Sequence, residues 1–176
     1  MDIMQNSVSA GASIIKLVVK EDVCNNLLHI IIEDDGAGMT DGQLARLSDP
    51  FFTTRSTRKV GMGVPLFLQS AEQSGGGLIV GSVPGEGTKV EATFEYDNID
   101  RPPLGDLAGS FILTVSANPQ TEFILEYSYN ENIYIFNTVE IKEILGEVSL
   151  NNAAVVKMLT EMVSNNISGY NESYDI

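Results

Sequence analysis

The apolar run Leu27-Leu28-His29-Ile30-Ile31-Ile32 leads, through Glu33, into Asp34-Asp35-Gly36-Ala37-Gly38-Met39. An apolar strand thus delivers carboxylates into a turn built on two glycines. Further on, a second glycine turn, Val60-Gly61-Met62-Gly63-Val64, opens a stretch with helical spacing. Such a strand has to pair within a sheet, which places its terminal carboxylate at the sheet's end. There the carboxylate can accept a hydrogen bond from an amino group, and the second turn can offer bare N–H groups to phosphate. The pair constrains the chain to an α/β arrangement laid out like a nucleotide pocket. Taken singly, each motif also reads as an ordinary turn.

The chain opens Asp2-Ile3-Met4-Gln5-Asn6-Ser7-Val8-Ser9-Ala10-Gly11-Ala12, with Ile3, Met4, Val8 and Ala12 at helical spacing. A helix over residues 2–11 puts Asp2 and Asn6 on one face. Two readings hold for that pair: polar residues on a solvated face, or a carboxylate and an amide oxygen that orient a water and ligate Mg²⁺. Gly85-Glu86-Gly87-Thr88 then enters the alternating strand Lys89-Val90-Glu91-Ala92-Thr93-Phe94, a common hairpin entry.

In this order the four motifs resemble the GHKL (Bergerat-fold) ATPase superfamily of type II topoisomerases, MutL, heat-shock chaperones and histidine kinases. The resemblance covers roughly residues 1–96. Asp49-Pro50-Phe51-Phe52-Thr53-Thr54-Arg55 looks like the kinase phenylalanine box, and Gly61-Met62-Gly63-Val64 like the following glycine box. The opening, with Ala10-Gly11-Ala12 after Asn6, is closer to the MutL and gyrase pattern. The implied fold is a two-layer α/β sandwich, a mixed and mainly antiparallel sheet with helices on one face.

The resemblance also implies ATP and Mg²⁺ as ligands and assigns roles. Asp34 accepts the adenine amine, Gly36 and Gly38 let the backbone approach the base, and Thr88 supports the same end. Asn6 holds Mg²⁺ against the phosphates, and Gly61 and Gly63 donate N–H groups to them. Ala10, Met39, Met62 and Val64 complete the ATP contacts, with Thr54, Arg55 and Lys59 in a lid over the triphosphate. Asp2 stands where ATPase members carry a glutamate general base. Aspartate is one methylene shorter and lies one residue from Met1, so the first helix is expected to lack an upstream turn and hydrolysis is in question.

The chain has 24 acidic and 10 basic residues, a net charge of −14. This argues against nucleic acid and anionic membranes as general partners. Arg55, Arg58 and Lys59 concentrate positive charge in one hydroxyl-rich segment, either a lid meeting phosphate or a solvated loop. No apolar run approaches the roughly 18 residues that span a bilayer, and no secretory signal is evident, so a cytoplasmic protein is expected. The single cysteine, Cys24, rules out an internal disulfide.

Further elements follow the punctuation. Ser13–Lys20 and Leu27–Glu33 read as a hairpin around Asn25-Asn26, Asp41–Leu47 as a helix N-capped by Thr40, and Val64–Ser74 as a helix. Leu78–Val83 and Thr88–Glu95 make the next hairpin. Residues 97–105, with Pro102, Pro103 and Gly105, read as a linker. Residues 106–168 read as a small α+β extension: helix Asp106–Ala117, hairpin Thr121–Tyr129 with Asn132–Phe136, and helices Val139–Leu145 and Asn152–Asn165. Residues 169–176 read as a polar tail. Tyr127, Tyr129, Tyr134 and Phe136 fit core and sheet-face positions, and the extension is expected to dock on a partner or back onto the ATP domain.

Three functions are compatible with these motifs: a kinase-like module that phosphorylates a partner in trans, an ATPase conformational switch, and a non-catalytic nucleotide-dependent interaction protein. His29, the one histidine, lies inside a strand rather than on an exposed helix, so a phosphoacceptor would have to sit on a partner protein.

Overall fold

The computed structural model describes residues 1–47 and 63–171. In chain order these residues form α1 (Asp2–Ser9), β1 (Ile14–Asp22), β2 (Leu27–Asp34), α2 (Asp41–Leu44), α3 (Gly63–Gln73), β3 (Gly77–Val83) and β4 (Gly87–Glu95). They continue with α4 (Leu107–Ala117), β5 (Glu122–Tyr129), β6 (Asn132–Asn137), α5 (Thr138–Leu145) and α6 (Ala153–Asn171). The strands make one six-stranded sheet in the order β3-β4-β2-β1-β5-β6. Every neighbouring pair is antiparallel except β1 and β5.

Side-chain alternation explains which face is which. Ile15, Leu17 and Val19 of β1 stand beside Phe123, Leu125 and Tyr127 of β5 in register, and all six are buried. Ile32 and Leu28 of β2 and Val90, Ala92 and Phe94 of β4 continue that face. Against it pack Ile3 and Met4 of α1, Val64 and Ala71 of α3, Phe111, Ile112 and Val115 of α4, and Val155, Leu159 and Val163 of α6. The other face is largely polar. Lys16 bridges to Glu126 at 2.8 Å, and Lys89 to Glu91 at 3.1 Å. Val18 also points to this face yet is buried, as expected of the strand flanked on both sides.

Both hairpin turns predicted at asparagines use them in the left-handed region, Asn26 at φ 55° and Asn130 at φ 51°. Asparagine tolerates this conformation better than other side-chain-bearing residues. Thr40 caps α2 in a full capping box with Gln43, and the helix is shorter than the expected Asp41–Leu47. Helix α1 stops at Ser9, two residues early, because Gly11 turns at φ +75°. Helix α6 runs on through Asn171, into the segment expected to be a polar tail.

The stretch after residue 105 is bound tightly to what precedes it. β5 lies beside β1, and α4 sets Phe111 edge-on against Phe123 at 6.2 Å and Phe136 at 5.6 Å. Buried residues from both stretches form one hydrophobic cluster. Helix α5 is fastened to the start of β5, where Glu122 accepts from Lys142 at 2.6 Å and from Thr138 at 2.5 Å. Among the described residues no helix is long and apolar enough to cross a membrane.

Candidate functional site

At one end of the sheet β2 runs out through Asp34 into the Asp35–Met39 turn, and the two adjacent aspartates divide the work. Asp35 Oδ1 accepts from the N–H groups of Ser13 and Ile14 at 2.7 and 2.8 Å, tying the turn to the start of β1. Asp34 lies on the core face, opposite Thr88 of β4 and Ile15 of β1. Its Oδ2 accepts from the buried Ser7 hydroxyl at 2.5 Å, and its Oδ1 from Gly36 N–H at 3.0 Å. A carboxylate has about four acceptor sites, so this half-buried group is oriented and keeps capacity for another donor.

Backbone contacts bring the other motifs to the same place. Ala37 N–H donates to Ala10 O at 3.0 Å, joining the turn to the end of α1. Gly85 N–H donates to Ala37 O at 2.9 Å, and Met39 N–H to the Ser82 hydroxyl at 2.8 Å. Ser82 Oγ also lies 2.9 Å from Thr88 Oγ1 and 2.9 Å from Gly87 O. The glycines are set by this closeness. A Cβ on Gly38, whose φ is +64°, would fall 2.0 Å from Val83 O, and one on Gly36 would lie 2.9 Å from Asp34 Oδ1. The protein's own chain therefore supplies a packing reason for both glycines, alongside any approach by a ligand.

Asp2 and Asn6 occupy the exposed face of α1, one turn apart. The first residue of α3, Gly63, abuts that helix: a Cβ there would lie 3.0 Å from Asp2 Cβ. Val64 turns inward and is buried in the core. The structure thus gathers Ala10, Asp34, Gly36, Gly38, Met39 and Thr88 around one end of the sheet, and from there α1 leads back through Asn6 to Asp2, which meets Gly63, next to Val64, at the start of α3. Thr54, Arg55, Lys59, Gly61 and Met62, with the Asp49–Arg55 box, lie outside the described residues.

Two residues of this network were not singled out from sequence. Ser7 is one, though its spacing from Ile3 and Met4 places it on the buried face of α1. Ser82 is the other, and alternation with Leu78 and Val80 puts it on the core face of β3. Among the described residues no three His, Cys, Asp or Glu side chains cluster to hold a metal. A donor set of one amide and one carboxylate on a helix face suits Mg²⁺ carried largely by phosphate oxygens and water, rather than a protein cage.

Residues 1–98 match the family described as Histidine kinase-, DNA gyrase B-, and HSP90-like ATPase. The chain belongs to that family. This histidine kinase-like ATPase domain is 37% identical over 67 residues to Sporulation kinase E of Bacillus subtilis (strain 168), a match covering 37% of this chain and 9% of the kinase. It is 30% identical over 90 residues to Sensor protein DegM of Bacillus sp. (strain B21-2), covering 51% of this chain and 24% of that protein. The chain therefore spans 24% or less of either relative. Among solved structures, the N terminal domain of a DNA repair protein superposes with a TM-score of 0.53 at 13% identity, covering 76% of this chain and 49% of the other. At that identity the likeness is one of fold.

Proposed function

We propose that this histidine kinase-like ATPase domain binds Mg-ATP at the Asp34 end of its sheet and serves as a kinase-like signalling module on a partner protein in trans. The observation that carries the reading is the Asp34 carboxylate, held by Ser7 and Gly36 with acceptor capacity to spare. In this reading Asp34 accepts the adenine amine, and the Thr88–Ser82 hydroxyl pair supports the same edge of the pocket. Asn6 supplies an amide oxygen to the metal, and the start of α3 at Gly63 and Val64 directs N–H groups and its dipole to phosphate. Thr54, Arg55 and Lys59 are assigned to the phosphates by sequence order, with Gly61 and Met62 beside them. Bound Mg-ATP supplies the activated γ-phosphoryl group, and a cytoplasmic setting supplies Mg-ATP.

The position of the one histidine in this sequence supports a phosphoacceptor outside the domain. His29 is in the middle of β2 on the polar face, its Nε2 3.5 Å from Glu91 Oε1. Asp34 is on the opposite face at the strand's end, so His29 is not presented to that pocket. The exposed Asp2 carboxylate is the candidate general base, and its short side chain favours slow hydrolysis over efficient turnover.

Calorimetric titration with Mg-ATP tests the reading, on this chain and on Asp34→Ala, with phosphate release followed on the same samples. Intact protein is expected to bind, and the substitution to weaken binding by about 10–100-fold, the worth of one charge-assisted hydrogen bond. Thermal melts separate loss of the pocket from loss of the fold. Equal binding by a folded Asp34→Ala protein, or none by the intact chain, would sink the assignment.

A further inference from the structure

At the Asp34 end of the sheet, Ser82, Thr88 and Asp34 stand in one row across neighbouring strands. Ser82 of β3 lies opposite Thr88 of β4, and Thr88 lies opposite Asp34 of β2. Counting donors and acceptors fixes where the protons of this row sit. A serine hydroxyl has one proton and two lone pairs. Ser82 Oγ accepts from Met39 N–H at 2.8 Å, which occupies one lone pair and ties the row to the Asp35–Met39 turn. Its proton goes to Gly87 O at 2.9 Å, because a carbonyl can only accept. The remaining contact, 2.9 Å to Thr88 Oγ1, is then satisfied only if Thr88 donates. Ser82 thereby consumes the Thr88 proton and leaves Thr88 Oγ1 with lone pairs alone.

We infer that Ser82 is a positioning residue that fixes Thr88 as a hydrogen-bond acceptor and so sets which purines the pocket takes. The inference rests on nucleotide binding at Asp34 as proposed above. It adds that the base-reading edge only accepts: the Asp34 carboxylate, held by Ser7 and Gly36, stands beside a Thr88 oxygen with no proton to give. A purine with an exocyclic amine supplies protons to that edge, directly or through one water. A 6-oxo purine places a carbonyl there instead, and lone pairs then face lone pairs, leaving polar groups unpaired on both sides. A threonine free to turn its hydroxyl could donate to that carbonyl. Without Ser82, discrimination would therefore fall to Asp34 alone.

Calorimetry on the full chain with Mg-ATP and with Mg-ITP, its 6-oxo counterpart, tests the role. The intact protein is expected to favour ATP by about 100-fold or more. Ser82→Ala should cut that preference by about tenfold, mainly by strengthening ITP binding, and Ser82→Thr, which keeps the hydroxyl, should retain it. A serine that merely held the strands together would weaken both nucleotides alike. An unchanged ratio in folded Ser82→Ala, or equal binding of the two nucleotides by the intact chain, therefore overturns the inference. If Ser82→Ala fails to fold, Thr88→Val reads the same polarity: losing an acceptor narrows the preference for ATP, whereas losing a donor widens it, and widening refutes the assignment. Asp34→Ala on the same samples keeps the two levels apart. ATP binding weakened by Asp34→Ala, with the ratio unmoved by Ser82→Ala, removes the Ser82 role and leaves the pocket standing. No ATP binding by the intact chain removes both.

Discussion

Glu21 and Asp34 belong to the same hairpin, point to the same face of the sheet, and end up in opposite circumstances. Glu21 lies six residues along β1 from Ile15, the partner of Asp34, which puts the two carboxylates about 20 Å apart at opposite ends. Glu21 is buried and accepts a 2.6 Å hydrogen bond from the buried Tyr127 hydroxyl, with Tyr96 and Tyr129 beside it. Asp34 is half-buried, held by a serine and a backbone N–H, and followed by glycines. A carboxylate on a core face is a signal at either end. Its neighbours decide the use: bulky phenols close over Glu21 and make it a strut, whereas glycines leave Asp34 with room for a ligand.

The sharpest way to break the Asp34 end is through its neighbour strand. Gly87 adopts φ +120°, and a Cβ there would lie 1.8 Å from Asp34 O. Gly87→Ala is expected to cost about 3–5 kcal/mol, combining backbone strain with overlap against a carbonyl that cannot move alone. Gly85→Ala, two residues away at φ +80° but facing open space, should cost only about 1 kcal/mol. Urea unfolding of both variants checks the contrast. Similar costs would mean that the close approach to Asp34 is not what fixes Gly87.

Next in size is a matched pair of substitutions that tests strut against site. Tyr127→Phe removes one donor from a buried carboxylate and is expected to destabilise by about 1–3 kcal/mol, with Mg-ATP affinity unchanged. Ser7→Ala removes the hydroxyl from Asp34, which can recruit water at the open end. It should cost about 1 kcal/mol or less in stability while weakening Mg-ATP several-fold. Urea melts and calorimetry on the two variants read both axes, and a swapped pattern would reverse the roles given to the two carboxylates.

Much of this contrast was legible beforehand, and the exceptions have physical causes. Local chemistry carried the Asn26 and Asn130 turns, the Thr40 cap and the Asp34 turn, because each is decided within a few residues. Strand β1 was expected to end at Lys20 and runs on to Asp22, which carries the alternation Ile15, Leu17, Val19 on to Glu21, and its partner Tyr127 is 106 positions away in the chain. The parallel placement of β5 beside β1 was equally hidden, since strand pairing at that separation leaves no local trace. The Pro102-Pro103 stretch marked a boundary in chain order that the sheet then bridges. Ser7 and Ser82 were passed over because serines at core-facing positions are usually read for size rather than for the hydroxyl.

The smallest expected effect, and the most specific to the closed end, is the titration of Tyr96. Burial first, then the charges of Glu21 and Tyr129, push its phenol up to about 12. Arg101 sits 4.8 Å over the ring, and its Nε donates to Tyr96 O at 2.6 Å. Because the folded value exceeds the unfolded value of about 10, the folded chain holds the proton longer and stability falls as pH rises. That contribution is complete below about pH 10 and lost as pH passes through about 12. Phenolate absorbance should show Tyr96 titrating late, and Tyr96→Phe should remove its step and flatten the alkaline stability curve. Glu21→Gln should lower the Tyr96 value but leave it above that of a free tyrosine, because burial outranks the carboxylate among the causes. A return to the ordinary value in that variant would make Glu21, not the enclosure around it, the source of the shift.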